Sequence, residues 1–418
     1  MKKEKSMKSI LLTVFLIVFV DLIGYGILIP VIPLLLGDVA SPYYLLSKSS
    51  NVHTGYFILG LLMAIYPLGV FLAAPILGQL SDKFGRKPIL AISLLGTCIS
   101  YVIFAIGIYE RNIALLFISR FFDGITGGNI AVAQATIADI TAPKDRAKNF
   151  GLIGAAFGLG FIIGPFIGGK LSDPAVLSWF NATTPFWFAS ILSFLNVISV
   201  LLILPETHKV HSSKVIDWGK SLFNISKAFS AKGLRLLFAT NFLFQAGFTF
   251  FTTFFGIYLV NKFNFTQGNI GDFFAFTGIW IAFTQGFLTR KLSNIFDEQK
   301  ILRFSLITTG LAILIYLVPS ISWQLLLVVP FFSISNGLSQ ANLQGLISRS
   351  ADQSIQGEVM GISSSVMALA QTIPPILSGI IASNLSPEVS IGAAGIIIVL
   401  SGILFSVGYK KNLIAKHS

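Results

Sequence analysis

A single acid, Asp21, stands in the middle of an apolar run that extends from Ser9 to Leu36. A carboxylate at the centre of a bilayer costs about 2.5–3.5 kcal/mol on insertion scales, so it is expected to face a cavity or a partner. There it can take up and release a proton, which makes Asp21 a candidate proton carrier; the plainer alternative is an acid that only accepts helix-to-helix hydrogen bonds. Arg120 and Asp123 lie three residues apart in another apolar run, on one helical face, with Gly124 and Gly127 one turn further. Such a pair either takes part in charge movement or is a buried ion pair that fixes packing. A third set is "LSDKFGRKPIL", residues 80–90, where Asp82, Lys83, Arg86 and Lys87 separate two long apolar runs.

The elements that hold these groups follow from composition. The chain has 418 residues, 54% hydrophobic and 11% charged, with a mean hydropathy of +0.81, which places it among membrane proteins. Apolar stretches of about 20 residues, each able to cross the hydrocarbon as a helix, recur along its whole length. Spans are expected near 9–36, 54–80, 89–108, 113–134, 149–171, 185–204, 235–260, 269–289, 300–319, 322–345, 359–383 and 390–409. The short alternating segments of a β-barrel are absent. Lys2, Lys3, Lys5 and Lys8 precede the first run as in a signal peptide, but the run is too long for a signal core and is read as a retained helix.

The net charge of +12 acquires its meaning from placement. Of 29 Lys and Arg, 24 fall on the side of the N-terminus, four (Lys48, Arg111, Lys170, Lys262) fall on the other, and Arg120 lies within a span. The positive-inside rule then puts both termini in the cytoplasm and removes the need for a nucleic-acid partner. Cys98, the sole cysteine, allows no internal disulfide. His208 and His211 form an HxxH without accompanying acids or cysteines, a poor metal site, so no metal is expected. No phosphate-binding P-loop is present, which argues against ATP as the driving force. No nucleophile, base and orienting group cluster as an enzyme would require.

The chain also repeats itself. "LSDKFGRKPIL" (80–90) aligns with "LSNIFDEQKIL" (292–302), an offset of 212, and "NFGLIGAAFGLGFIIGPFIGG" (149–169) with "VMGISSSVMALAQTIPPILSG" (359–379), an offset of 210. The second pair matches Gly151 with Gly361, Pro165 with Pro375 and Gly169 with Gly379 at expected bends and close contacts. Two nearly equal offsets at half the chain length point to an all-α membrane protein of two parallel six-helix repeats. The expected domains are an N-terminal bundle (1–204), a basic cytoplasmic linker (205–234) and a C-terminal bundle (235–418). Transporters built from such repeats bind their substrates near the midplane.

Within the second repeat, Asn241, Gln245, Thr249 and Thr252, then Thr277 and Thr284, then Asn336, Gln340 and Gln344 recur at helical spacing. Lipid penalises such faces, so they are expected to line an aqueous pathway or to bond between helices. Phe248, Phe250, Phe251, Phe254 and Trp280 offer aromatic contact to a lipophilic ligand. Gly160, Gly164 and Gly168 leave one face of the fifth span bare for close approach of a backbone, with Pro165 adding a bend. In the 80–90 loop, Gly85 permits a tight reversal, Arg86 and Lys87 hold the loop in the cytosol and Pro88 starts the next helix. Asn294 replaces Asp82 in the second repeat, so only the first half is expected to keep the full charge set.

"LGQLSDKFGRKPIL" resembles the signature loop between helices 2 and 3 of the major facilitator superfamily. "RFFDGITGGNIAVAQATIADIT" followed by "GLGFIIGPFIGG" resembles helices 4 and 5 of its drug:proton antiporters, and "DLIGYGILIPVIP" and "NLQGLISRSADQSIQGEVMG" resemble the tetracycline-efflux branch. The resemblance implies a twelve-helix, proton-driven exporter of lipophilic compounds, without cofactor, expected to be a monomer in the bacterial cytoplasmic membrane. It implies a functional acid at Asp21, proton transfer involving Arg120, and a cytoplasmic gate from Gly78, Asp82, Gly85, Arg86 and Lys87. It also marks Gly160, Gly164, Pro165, Gly168 and Gly169 as the antiporter motif. Asn241, Gln245, Thr249, Trp280, Thr284, Asn336 and Gln340 are the substrate-contact candidates. Asp123 departs from the tetracycline branch, where a small residue is usual. Ser100, Thr309 and Ile281 stand where tetracycline pumps carry two acids and a histidine, which shifts the expectation to a multidrug exporter, with a proton-coupled metabolite or siderophore transporter, or a non-transporting membrane receptor on the same frame, as the alternatives.

Overall fold

The computed structural model describes residues 2–47, 51–141, 146–208, 216–230, 234–350 and 356–409, and among these residues there is no strand. The helices are α1 (Lys2–Ile32), α2 (Val52–Phe84), α3 (Arg86–Tyr109), α4 (Ile113–Gly127), α5 (Asn129–Ile140), α6 (Arg146–Ser172), α7 (Thr184–Ile203) and α8 (Lys220–Ser230). They continue with α9 (Arg235–Phe263), α10 (Gln267–Phe283), α11 (Thr289–Ser293), α12 (Glu298–Ile315), α13 (Ser322–Arg349), α14 (Gln356–Asn384) and α15 (Pro387–Gly408). With α4 joined to α5 and α10 to α11, these cover the twelve spans read from hydropathy; α8 falls in the linker. Among the described residues eight helical stretches are long and apolar enough to cross a membrane. Of the others, α10 stops where a π-helical turn begins, and α13 carries Ser, Asn and Gln along its length.

Local irregularities have local causes. Pro30 and Pro33 each remove a backbone donor near the end of α1, and the ladder re-registers into a π turn over Pro33–Gly37. A second π turn covers Thr284–Leu288, where the Thr289 hydroxyl donates to the Thr284 carbonyl at 2.9 Å. The Asn112 side chain caps α4 by accepting from the Leu115 N–H, and Ser386 caps α15 through the Val389 N–H, with Pro387 at the first helical position.

Packing divides the chain into two compact units. The first comprises Met1–Ser50, Ile65–Lys220 and Phe265–Ala275; the second comprises Asn51–Ala64, Ser221–Asn264 and Phe276–Ser418. A division by chain order alone would keep α2 and α10 whole, whereas here the first part of each packs with the other unit's residues. In the first unit a Cβ added at Gly271 would meet the Pro165 carbonyl oxygen at 2.9 Å and the Gly169 Cα at 3.2 Å. In the second unit Gly60 backs in the same way onto the Pro375 carbonyl and Gly379. The Pro165/Pro375 and Gly169/Gly379 matches of the duplicated sequence are therefore the same backbone contact made twice. Lys170 adds an ion pair to Asp272 at 2.8 Å in the first unit.

The first unit's core is filled from α1, α3, α5, α6 and α7 by residues such as Val14, Ile17, Leu90, Leu94, Val132, Ile137 and Val200. Within it, α6 packs closely on α1. A Cβ at Gly160 would stand 2.5 Å from Leu22 Cβ, one at Gly164 would stand 2.9 Å from Gly26 Cα, and one at Gly168 would stand 2.7 Å from Ile27 Cα. The glycine face thus seats the stretch of α1 that immediately follows Asp21.

Candidate functional site

Asp21 points inward: it is 5% exposed. Both of its carboxylate oxygens lack a hydrogen-bond partner. Asn129 stands close enough to act as a hydrogen-bond donor to it and Asp123 is near enough to act on it electrostatically, yet neither the carboxylate nor the fully buried Asn129 amide meets hydrogen-bond geometry. Side by side, an unsatisfied acid and an unsatisfied amide are costly in a dry interior, so a proton, water or ligand has a reason to enter here. Asn129 reaches this place because the fourth passage breaks at Gly128, between α4 and α5.

One turn earlier on α4, Arg120 is 1% exposed and its Nη1 lies 3.1 Å from Asp123 Oδ2. The contact lacks hydrogen-bond geometry, and the guanidinium nitrogens have no bonded acceptor. Three rings surround the cation instead: its central carbon is 5.0 Å from the Phe104 centroid, 5.4 Å from Tyr101 and 5.9 Å from Tyr66. Tyr25, one turn after Asp21, packs on Tyr66 with centroids 5.8 Å apart. Helix α4 comes this close to α2 because Gly124 and Gly127 carry no side chain: a Cβ at Gly124 would run into the Tyr66 carbonyl, and one at Gly127 would meet the Tyr66 hydroxyl at 2.8 Å.

Asp21, Arg120 and Asp123 thus share one buried cluster, completed by Asn129 and an aromatic wall of Tyr25, Tyr66, Tyr101 and Phe104. Only the three charged residues were legible as site residues. Tyr25 had a signal, its i+4 spacing from Asp21, and Asn129 had one in lying just after a Gly-Gly pair. Tyr66, Tyr101 and Phe104 sit among many aromatics of an apolar chain, and nothing in their spacing sets them apart.

The 80–90 loop is a denser network than its own residues suggest. Arg86 Nη1 reaches Asp82 Oδ1 at 2.6 Å, Arg86 Nε donates to Asp139 Oδ2 at 2.9 Å, and Nη1 also donates to Ser81 Oγ at 2.6 Å. The backbone N–H groups of Arg86 and Lys87 donate to the Glu206 carboxylate at 2.9 and 3.1 Å. Glu206 therefore caps α3 from a distant segment, in place of the missing side chain of Gly85. Gly85 itself has φ +99°, and a Cβ there would strike Glu206. Partial burial pushes the Glu206 carboxyl up, but N–H donors from His208, Arg86, Lys87 and Thr207 outweigh it and hold the group below its ordinary value of 4.5. A depressed carboxyl stabilises the folded chain above that value, and this contribution is lost as pH falls through the lowered one. Lys87 Nζ donates to the Leu201 carbonyl at 2.8 Å, at the end of α7. Gly78 has nothing within 4 Å of an added Cβ, so close packing does not account for a glycine there.

Asp139 and Glu206 were missed in the sequence, although a signal existed. Both are acids on the strongly basic side, where topology calls for none. The second repeat, expected to lack the full charge set, still holds one charge contact. Glu298 and Arg349 are ion-paired, at positions that correspond by the repeat offsets to Arg86 and Asp139, with the signs exchanged. His208 Nδ1 is 3.9 Å from Asp139 Oδ2, whereas His211 lies outside the described residues.

The polar stripe of the second unit is largely bonded within that unit. Gln245 Nε2 donates to Gln340 Oε1 at 3.1 Å, and Asn241 Nδ2 donates to Ser363 Oγ at 3.4 Å. The hydroxyls of Thr249 and Thr284 donate to carbonyls of their own helices, those of Gln245 and Trp280. Thr284 lies against Gly337, next to Asn336, whose side-chain oxygen is buried and unpartnered. Trp280 is half-buried, edge-on to Phe276 and Phe283. Phe251 is packed against Phe255, Tyr316 and Phe332, and Phe254 against Tyr56, so these two rings fill the core. Ser100 and Thr309 are buried with their hydroxyls bonded to the Gly96 and Ser305 carbonyls.

Two repeated sets of apolar helices with ionisable residues buried inside one of them fit a multi-pass membrane transporter. The model of the Major Facilitator Superfamily matches residues 14–370 and again 237–413, and the chain belongs to that family. It is 32% identical to the class H tetracycline resistance protein of Pasteurella multocida over 378 residues, covering 90% of this chain and 89% of that one. It is 30% identical to multidrug resistance protein 1 of Bacillus subtilis (strain 168) over 377 residues, covering 90% of each. Among solved structures, a bacterial homologue of the human lysosomal transporter Spinster superposes with a TM-score of 0.75 at 14% identity, covering 98% of both chains.

Proposed function

We propose that the protein is a proton-coupled secondary transporter that exports lipophilic, drug-like compounds in exchange for protons by alternating access. The observation that carries this reading is Asp21, a buried carboxylate whose two oxygens are unpartnered beside the unpartnered amide of Asn129. Asp21 takes up the proton; Arg120 and Asp123 set the field it experiences. Relatives named for tetracycline and multidrug resistance support export as the direction. The hydroxyl and alkyl groups of Ser100, Thr309 and Ile281 favour a broad apolar substrate class over tetracycline. Trp280 and Asn336 are the solute contacts best supported by their surroundings, one half-buried and the other holding an unpartnered oxygen. Asn241 also holds an unpartnered oxygen, whereas Gln245, Thr249, Thr284 and Gln340 would have to exchange existing bonds to reach a solute.

The energy source is the proton gradient, worth about 2.3 kcal/mol per charge per 100 mV plus any pH difference. The lysine and arginine distribution supports a bacterial cytoplasmic membrane location with both termini and the 80–90 loop in the cytosol. The Arg86 network would then close the cytosolic side in one state, and a monomer suffices for the cycle. The test is transport of a fluorescent lipophilic dye in vesicles of reconstituted protein, with a pH gradient imposed in either direction. Antiport moves dye against the direction of proton flow, and Asp21→Asn reduces that flux to the leak of protein-free vesicles. Dye that moves with the protons indicates symport, and unaltered flux in Asp21→Asn removes the acid from the mechanism.

A further inference from the structure

The linker helix α8, "KSLFNISKAFS", is inside out for a helix in water. Its open side carries Leu222 and Phe223, 69% and 55% exposed, and Trp218 just ahead of it is 73% exposed. Its covered side holds Asn224, whose amide donates to Ser365 Oγ at 3.2 Å, and the buried Ala228. The Asn224 side chain is spent on the protein, and Leu222 and Phe223 are left outside. Lys227 lies over the Phe223 ring at 4.7 Å, so a cation rides on the apolar face.

Both flanks of α8 are tied to the membrane boundary. Before it, Asp217 and Gln79 bond reciprocally, the Asp217 N–H to Gln79 Oε1 at 2.8 Å and Gln79 Nε2 to the Asp217 carbonyl at 3.1 Å, which pins the chain to the end of span α2 beside the 80–90 loop. After it, span α9 begins at Arg235. Between Glu206 and Arg235 the chain has Lys209, Lys214, Lys220, Lys227, Lys232 and Arg235 against only Glu206 and Asp217 as acids. An amphipathic segment at the level of the headgroups, with tryptophan, exposed leucine and phenylalanine and an excess of lysine, matches the surface of a bilayer that contains anionic lipid.

We propose that α8 lies in the headgroup region with Trp218, Leu222 and Phe223 dipped toward the acyl chains and its lysines on anionic lipid, making the linker a lipid-binding strap. This holds whatever solute the protein carries. The test uses the full chain with Cys98→Ser, reconstituted one copy per nanodisc, with spin labels at Leu222→Cys, Phe223→Cys and, as an aqueous reference, Gly219→Cys. Accessibility to oxygen and to a water-soluble nickel chelate is compared in phosphatidylcholine discs with and without phosphatidylglycerol, and an unchanged helical circular-dichroism spectrum and thermal unfolding midpoint confirm that each labelled variant is folded. Labels at 222 and 223 that favour oxygen over the chelate, more strongly with phosphatidylglycerol and less so in Lys220→Gln/Lys227→Gln, are the expected result. Chelate accessibility equal to that at 219 overturns the proposal. So does shielding from both reagents, which would mean protein covers the face, or dipolar broadening in discs loaded with two copies, which would mean a second copy does. An oxygen preference indifferent to phosphatidylglycerol overturns the anionic-lipid assignment.

Discussion

Where α4 buries Arg120 and Asp123, the corresponding stretch of α13, 210 residues further along the duplicated chain, has Pro330 and Ser333, and Asn129 corresponds to Ser339. Ser333 Oγ donates to the Thr277 carbonyl at 3.1 Å, and Ser339 Oγ donates to Ser305 Oγ at 2.9 Å. At these positions one copy of the repeat thus buries an ion pair beside an unpartnered amide, and the other buries neutral hydroxyls that are hydrogen-bonded. Duplication supplied the frame twice, whereas this cluster of buried ionisable groups stands in one copy. The two should therefore be separable by mutation.

The largest stability effect is expected in the charged copy. Arg120→Ala leaves Asp123 buried without its cation and should cost about 3–5 kcal/mol in reversible unfolding in detergent, whereas Arg120→Gln combined with Asp123→Asn should recover most of it. The loop networks give the next contrast. Arg86, with a 6% exposed side chain, holds both Asp82 and Asp139, and Arg86→Ala should cost about 2–3 kcal/mol by the same measurement. Arg349, whose side chain is 61% exposed, holds Glu298, and Arg349→Ala should cost less than about 1 kcal/mol. Equal losses would mean that the exchanged-sign pair is as important as the original.

Glycines sharpen the comparison between packing and motif. Gly164→Ala forces a Cβ against the Gly26 backbone and should cost about 1–3 kcal/mol. Gly78→Ala meets no atom and should stabilise the helix by up to about 1 kcal/mol while leaving transport intact. Smallest of all is the neutral copy's bond. A double-mutant cycle of Gln245→Leu and Gln340→Leu should give a coupling of about 0.6 kcal/mol, with unchanged proton dependence of transport.

Much of the architecture could be read from the chain because bilayers constrain sequence tightly: runs of about 20 apolar residues and a one-sided lysine excess define twelve passages. The repeat offset foretold that Pro165 and Pro375 make equivalent contacts, since a close backbone approach tolerates few residue types. Asp21 announced itself because an acid in lipid is rare. The partners of Arg86 did not, since Asp139 lies 53 positions away and the Glu206 that caps its backbone lies 120 away. The exchanged ion pair was half hidden: the loop alignment puts Glu298 in the place of Arg86, but its partner Arg349 lies 51 positions away on another helix. The division of α2 and α10 between packing units also has no local signature, because hydropathy marks where a helix lies in the membrane and not which neighbours it takes.

The direct measurement is an infrared difference titration of reconstituted protein, which detects a protonated carboxyl through its C=O stretch. Wild type and Asp123→Asn should both show a carboxyl that gains and loses its proton within the operating pH range, and Asp21→Asn should lack that band. If the band survives in Asp21→Asn, the proton is carried elsewhere and the assignment of the charged copy fails.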